Sequence, residues 1–285
     1  MPQLIENKTI GVYSAEPVAD VIAVTFTAIL FTIQFRKSLR KLSTDGIAIE
    51  VNEHTGEITS IKADGNEILR TPIHFNITRY TDNDRDLVPH WIGRCHLEAC
   101  KPHIFECEKT DNGYKFKGCL AANCLMPAAE FELCYEVTGN VLTAKISYKL
   151  ADYVERFPRF GIEFGVDKAY GNFSYVGFGP TESYVDKHIA SEYGYYVSSA
   201  EENYDYEYIR PQESGSHYAC KYLAVKNLFK VTAEQPFSCS VNPFTTEQLR
   251  ETLHSFELEE NDSVSPIFAL LKHSGNMSRT NLKRF

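Results

Sequence analysis

Residues 111–150, DNGYKFKGCLAANCLMPAAEFELCYEVTGNVLTAKISYKL, decide the fold class of this chain. They contain three strand-like runs, at 114–120, 129–137 and 141–150, and Gly139-Asn140 joins the last two. Runs of this length that are rich in β-branched and aromatic residues and are bounded by Gly/Asn turns are typical of strands. The stretch therefore predicts consecutive antiparallel strands.

Similar runs occupy the chain on both sides of this stretch, and helical patterns are rare. The other predicted strands are 47–51, 57–61, 103–108, 159–166, 174–177, 217–225, 228–232 and 237–241. One helix is convincing: Thr245 or Thr246 can cap it, and it continues to about His254. Many strands, one short helix and no βαβ alternation predict an antiparallel all-β domain of two packed sheets.

Composition narrows the classes of function. The chain has 285 residues and 43% hydrophobic residues, enough for one large domain or two small ones. Its net charge is −9 and it has no long Lys/Arg run, which argues against a nucleic-acid partner.

An apolar run at Val21–Ile33 has the composition of a strand, because it is rich in β-branched and aromatic residues. Its 13 residues are fewer than the about 20 that a membrane span needs. Glu16 and Asp20 precede it, where a signal peptide would carry basic residues. We therefore expect no membrane partner and a cytoplasmic chain.

The eight cysteines do not predict a metal site. Cys95, Cys100 and Cys107 are spaced C-x4-C-x6-C, which differs from the closely spaced pairs of zinc fingers and ribbons. Without a secretory signal, the even number of cysteines does not imply disulfides. We expect buried, reduced thiols in strands.

Four segments carry unusual motifs. Two are Gly- and Pro-punctuated loops with aromatic and charged residues, a composition that favours function over core packing. The four segments are Thr71–Arg85 (TPIHFNITRYTDNDR), Gly177–Lys187 (GFGPTESYVDK), Tyr208–His217 (YIRPQESGSH) and Pro236–His254 (PFSCSVNPFTTEQLRETLH).

In order and spacing, these segments resemble the C-terminal region (domain 5) of the large β-galactosidases of glycoside hydrolase family 2. In split enzymes of that family, this region is a separate small subunit. The resemblance implies a twisted antiparallel β-supersandwich, of the galactose mutarotase-like kind, at 47–285. Residues 1–46 are then a linker or the remnant of a preceding segment. After about residue 262 we expect an atypical or truncated chain that lacks the last strands and the sugar-facing aromatic.

The resemblance also bears on catalysis. A retaining glycosidase needs two carboxylates about 5 Å apart. In the family both lie on a (β/α)8 barrel, which needs about 250 residues and has no room beside the β domain here. The resemblance thus implies a chain that is non-catalytic alone. It would complete a barrel-bearing large subunit, within an oligomer, that hydrolyses terminal β-D-galactosides such as lactose. We expect no cofactor on this chain, and Mg²⁺ and Na⁺ on the partner.

The candidate site residues lie in the first three segments and just after the first. Asp82, Asn83 and Asp84 either cap a turn or lie at the substrate entrance, where the resemblance also places Trp91. The two loops either share an Arg–carboxylate pair or form a polar rim that docks the catalytic subunit or meets sugar hydroxyls. The loop candidates are Glu182, Tyr184, Asp186, Arg210, Gln212, Glu213 and His217.

Two other classes of function stay open. Aldose 1-epimerases share the supersandwich and use a His acid with a Glu base, although none of their local motifs occurs here. The third possibility is a carbohydrate-binding module without catalysis.

Overall fold

The computed structural model describes residues 8–81, 89–122, 126–270 and 278–283. The chain divides into two compact units, Met1–Leu39 and Arg40–Phe285. We call the second unit the β domain.

Helix α1, Lys8–Lys37, occupies the first unit. The strand predicted at Val21–Ile33 is therefore wrong. A strand depends on a neighbour for its backbone hydrogen bonds, whereas a helix pairs its own N–H and C=O groups. Within α1 the hydroxyls of Thr25 and Thr32 also donate to the carbonyls four residues earlier, at 2.7 and 2.8 Å. By length and composition, Ala19–Lys37 could cross a membrane.

The described residues form sixteen strands joined into one antiparallel network. Their bounds are β1 Leu39–Ser43, β2 Ile47–Asn52, β3 Ile58–Ala63, β4 Asn66–Glu67, β5 Leu69–Asn76, β6 Lys101–Thr110, β7 Gly113–Ala121, β8 Ala129–Thr138, β9 Val141–Leu150, β10 Gly161–Asp167, β11 Asn172–Gly179, β12 Glu192–Ser199, β13 His217–Val225, β14 Phe229–Asn242, β15 Ser263–Leu270 and β16 Ser278–Lys283. This architecture confirms the antiparallel all-β supersandwich.

The order of strands determines where the edges lie. The main path runs β1-β2-β3-β5-β10-β15-β14-β16-β9-β8-β7-β6, with β4 on β3. A branch leaves β14 through β13 and β11 and ends at β12. Within the described part of the chain, β12 pairs with β11 alone and β6 pairs with β7 alone, so both are edge strands.

The stretch at 111–150 forms the predicted meander of β7, β8 and β9. Phe116 faces Leu133 across the first pair of strands, and Leu133 faces Ile146 across the second. Along β8 the buried residues alternate with more exposed ones, as a strand with one face on the core requires. The strands predicted at 228–232 and 237–241 are parts of the single strand β14, whose exposed middle resembles a turn in sequence.

Aromatic side chains fill the core of the β domain. Phe160, which directly precedes β10, stacks its ring on Tyr148 of β9 at 3.8 Å between centroids. Phe164 stacks on Phe268 at 5.9 Å, which joins β10 to β15. This single large cluster includes residues of most strands and of the segment around Trp91.

The seven described cysteines are free. Cys95, Cys220 and Cys239 are buried, as expected for reduced core thiols. Cys107 is exposed on β6, so burial was a wrong expectation for that thiol.

Helices of the β domain are short. The predicted helix is α3, Thr246–Glu251, with Thr245 and Gln248 forming a capping box. It ends three residues before His254. One further turn, α2 at Ala200–Asn203, begins where the Ser199 hydroxyl accepts from the backbone of Glu202.

The segment after residue 262 contains strands that sequence analysis did not expect. β15 pairs with β10 and β14, and β16 pairs with β14 and β9. Because β16 joins β14 to β9, the C-terminal segment contributes to the sheet instead of leaving it open. Sequence analysis predicted neither β15 nor β16, and the expectation of an atypical or truncated chain after about residue 262 stays a prediction.

Candidate functional site

All four motif segments meet around a cavity of about 80 Å³. Arg79 follows β5, Tyr184 lies in the loop after β11, and Glu213 lies in the loop before β13. Backbone hydrogen bonds hold these segments together. Glu213 N–H donates to Tyr80 O at 2.8 Å, and Ser183 N–H donates to Ser216 O at 2.7 Å. Segments far apart in sequence thus build one polar site.

A buried ion pair forms one wall of this cavity. Arg159 and Glu213 contact through Nη2 and Oε2, and their side chains are only 8% and 7% exposed. The pKa of Arg159 is lowered to about 10, mainly by burial and also by the nearby positive charge of Arg79, while Glu163 opposes the shift. The guanidinium stays protonated at neutral pH, so the pair is charged.

The pair differs from the one predicted between the two loops. Arg210 is exposed and lies over the ring of Tyr80, 5.2 Å from its centroid, in a cation–π contact. Arg159, which precedes β10, supplies the guanidinium instead. The physical reason is burial: the carboxylate of Glu213 is out of water and needs a cation beside it, whereas an exposed Arg210 is solvated.

The loop after β11 contacts the next motif through Glu182. One carboxylate oxygen of Glu182 bonds to Lys187 in the same loop, and the other accepts from Gly215 N–H at 3.2 Å. The ring of Tyr184 lies under the guanidinium carbon of Arg79, 4.7 Å from the centroid. Burial raises the pKa of Tyr184, so its hydroxyl stays protonated. Asp186 is exposed.

His217 is a buried, neutral side chain. Its ring stacks on Tyr175 at 3.9 Å, and its Nε2 lies 2.8 Å from Oδ1 of Asn203. Burial lowers the pKa of His217 to about 4. A histidine that is neutral at pH 7 does not supply the general acid of an epimerase, so this residue favours a structural role.

The fourth segment, Pro236–His254, is hydrogen-bonded to strand β10 and to the loop before β13. Glu163 accepts from Asn76 Nδ2 at 2.6 Å and from Thr246 N–H at 2.8 Å. Asn242 donates from Nδ2 to Ser214 O at 3.1 Å. These bonds hold the start of α3 and the loop before β13 against β5 and β10.

The remaining candidates lie apart or outside the described residues. Trp91 is 5% exposed and packs in the core, so this chain does not present its ring at an entrance. Gln212 is buried beside Glu213. Asp82, Asn83 and Asp84 lie outside the described residues. Among the described side chains, no group of three or more His, Cys, Asp or Glu has a metal-binding arrangement.

Sequence analysis missed three residues that organise the site. Arg159 stands between two phenylalanines in Phe157-Pro-Arg-Phe160, and a charge inside an aromatic run could have indicated a buried ion pair. Glu163 is a charged residue inside the predicted strand 159–166, which likewise could have indicated a buried polar contact. Asn203 follows two acidic residues, and nothing in the sequence around it indicates its role.

Gly215 offers a test of how tightly the loop before β13 is packed. Its φ is +67°, and an added Cβ would lie 2.1 Å from the backbone oxygen of Asn203. We expect Gly215→Ala to lower the free energy of unfolding by at least about 3 kcal/mol, since left-handed backbone strain adds to a clash that a carbonyl cannot relieve. Chemical denaturation measures it.

Gly65→Ala is the matched control for that substitution. Gly65 has φ +82°, but nothing lies within 4 Å of an added Cβ. Gly65→Ala should lower the free energy of unfolding only by the cost of a side chain in left-handed backbone, about 1–2 kcal/mol. Equal losses in the two variants would show that the loop yields and that Gly215 is not packed as described.

His217 predicts a pH dependence of stability. Its pKa falls from 6.5 unfolded to about 4 folded, so between these values only the unfolded chain binds the proton. Stability should therefore decrease as the pH falls from about 6.5 to about 4, by up to about 3 kcal/mol from this group. The measurement is the free energy of unfolding of wild type and of His217→Gln across that pH range. The difference between the two slopes against pH is the contribution of His217. His103→Gln, at an exposed position of β6, is the control. An unchanged slope in His217→Gln contradicts the assignment.

Comparisons with known proteins show which proteins this chain is similar to. A family model described as "Beta galactosidase small chain" matches residues 43–275. The chain is 33% identical over 218 residues to a β-galactosidase of Actinobacillus pleuropneumoniae, covering 75% of this chain and 22% of that protein. It is 38% identical over 113 residues to one of Streptococcus thermophilus, covering 38% and 11%.

A solved structure is also similar: a galactose mutarotase related enzyme from Lactobacillus acidophilus, at 10% identity and a TM-score of 0.45, covering 87% of this chain and 97% of that chain. The chain spans about a fifth of the length of curated β-galactosidases that it matches over most of its own length. Because the family model covers residues 43–275, and with them nearly the whole β domain, this chain belongs to the β-galactosidase small chain family.

Proposed function

We propose that this chain is the non-catalytic component of a β-galactosidase and completes a barrel-bearing polypeptide by docking through strand β12. The enzyme so formed would hydrolyse terminal β-D-galactosides, such as lactose, with retention and in an oligomer. The observation that carries the proposal is a row of apolar and aromatic side chains on β12, an edge strand beside the motif loops.

The row has the geometry of a docking surface. Tyr193, Tyr195 and Val197 lie on one face of β12, because alternate residues share a face, and Tyr195 and Val197 are 62% and 70% exposed. Tyr196 points the other way, toward Tyr175. An unpaired edge strand and an exposed row of apolar side chains are unfavourable in water. We therefore infer that a partner covers them.

The row continues toward the loop after β11. Tyr193 packs edge-on against Phe178, at 5.4 Å between ring centroids. Val185 and Ile189 of that loop are also exposed. We call these five residues the docking surface: Val185, Ile189, Tyr193, Tyr195 and Val197. Aromatic residues are enriched in the centres of protein interfaces, which favours a protein partner.

The buried carboxylates support a non-catalytic role. Glu163 already accepts two hydrogen bonds, and Glu213 is neutralised by Arg159. A retaining pair needs one carboxylate free as nucleophile and another as acid/base. Neither residue is free for that work, so in our proposal both catalytic carboxylates, together with Mg²⁺ and Na⁺, belong to the barrel-bearing partner. The galactoside would meet this chain, at most, at the margin of the shared site.

Reconstitution tests the proposal. A chromogenic β-D-galactoside is incubated with this chain, with a β-galactosidase that lacks its own C-terminal domain, and with both. Hydrolysis in the mixture alone is the expected result. Hydrolysis by this chain alone would refute the non-catalytic role, and no gain in the mixture would refute completion. Galactoside binding by this chain without a partner would favour a carbohydrate-binding module.

A further inference from the structure

Large apolar side chains are exposed on all sides of helix α1 between Ala19 and Lys37. Ile22 and Phe31 are nine residues apart, which is two and a half turns, so they lie on opposite sides of the helix. Both are exposed. A helix that packs on a protein core has one apolar stripe, whereas a helix that is apolar all round is surrounded by apolar material.

The dimensions of this stretch match a lipid bilayer. Its 19 residues extend about 28 Å at the helical rise, against a hydrocarbon core of about 30 Å. The hydroxyls of Thr25 and Thr32 donate to carbonyls of the same helix, so these polar groups need no water. Charged residues stand only near its ends, at Asp20, Arg36 and Lys37.

We propose that Ala19–Lys37 spans a lipid bilayer and anchors the β domain on its cytoplasmic side. Basic residues accumulate at and after the C-terminal end of the helix, at Arg36, Lys37, Arg40 and Lys41, whereas residues 4–18 contain one, Lys8. Basic residues flanking a span stay on the cytoplasmic side, which determines the orientation. In the β domain, Arg40 and Lys41 also bond to Glu53 and Glu50.

Lipid fits this helix better than a second copy of the chain. A pair of helices in water buries an a/d stripe and keeps the other positions polar. Here Val24 and Ile33, also nine residues apart, are exposed on opposite sides, so pairing would leave one of them in water. The earlier expectation of no membrane partner relied on a strand of 13 residues, and the structure replaces that strand with a longer helix.

The test uses the full chain, synthesised without cells in the presence of phosphatidylcholine vesicles that contain a minor fraction of phosphatidylglycerol. The vesicles are floated before and after extraction with alkaline carbonate, and the bound chain is weighed by mass spectrometry. We expect the intact chain to resist extraction. Ile29→Arg with Leu30→Arg, in the middle of the span, should reduce the retained fraction at least tenfold.

The matched control is Ile209→Arg with Phe256→Arg, at exposed positions of the β domain, and it should be retained like wild type. Fluorescence of Trp91, the one tryptophan, reports whether each β domain is folded. Release of wild type by carbonate would overturn the proposal in favour of peripheral binding. Self-association without vesicle binding would overturn it in favour of helix pairing.

Discussion

Replacing Arg159 by methionine is expected to lower the free energy of unfolding of the β domain by about 3–5 kcal/mol. The substitution keeps most of the side-chain volume but leaves the buried carboxylate of Glu213 without its cation. The loss of that partner is costly because the charge stays in a low dielectric. Equilibrium denaturation, followed through Trp91 fluorescence, measures the change.

Two further variants make the result specific to the ion pair. Arg250→Met removes an exposed arginine that bonds to Glu247 and Glu251, and should cost no more than about 1 kcal/mol. Arg159→Met combined with Glu213→Leu removes both charges and should recover much of the loss, since an apolar pair can replace a buried ion pair. If Arg159→Met costs no more than Arg250→Met, the pair is not buried and charged as described.

The second large effect concerns partner binding. Tyr195→Ala should weaken the binding of a barrel-bearing polypeptide by at least about 30-fold, the loss typical of an aromatic residue at the centre of an interface. Tyr195 lies in the middle of the row on β12, between Tyr193 and Val197, and is exposed in the free chain. Stability should therefore change little, and the loss should be confined to binding. The measurement is the concentration of this chain that gives half of the maximal activity in the reconstituted mixture.

Phe105→Ala is the control for Tyr195→Ala. Phe105 is 68% exposed on β6, which is also an edge strand, and is likewise aromatic. Its removal should leave the half-maximal concentration unchanged. Equal weakening by both variants would point to a general loss of fold, and weakening by Phe105→Ala alone would move the interface to β6.

Most of the strands could be predicted from sequence because each carries its own signal. In β8, apolar and polar residues alternate, and Gly139-Asn140 fixes the turn to β9. The Thr245 cap of α3 is equally local. These features depend on neighbours within a few residues, so no knowledge of the tertiary fold is needed.

The features that were missed or predicted wrongly share a physical cause. Each depends on a partner that is distant in sequence or is missing. Val21–Ile33 has strand composition, but strand or helix is decided by whether a neighbouring strand accepts its hydrogen bonds. Strand β16 depends on β14 and β9 on either side of it. The partner of Glu213 is Arg159, 54 positions away, whereas the motifs suggested an Arg–carboxylate pair between the two loops.

The candidate site was predicted at the level of segments and missed at the level of contacts. Motifs located the loops around Tyr184 and Glu213, which do meet in space. Which atoms pair across them depends on burial, and burial is a property of the assembled fold. For the same reason His217 is a stacked core histidine here, although its loop is rich in charge.

Hydrogen exchange at strand β12 tests the central claim most directly. Amide exchange is followed for this chain alone and with a β-galactosidase that lacks its C-terminal domain. Docking through β12 predicts that amides of Glu192–Ser199 exchange more slowly in the mixture, since their outward N–H groups become covered, while those of Lys101–Thr110 in β6 do not change. Slower exchange in β6 with β12 unchanged, or no change in either strand, would contradict the account.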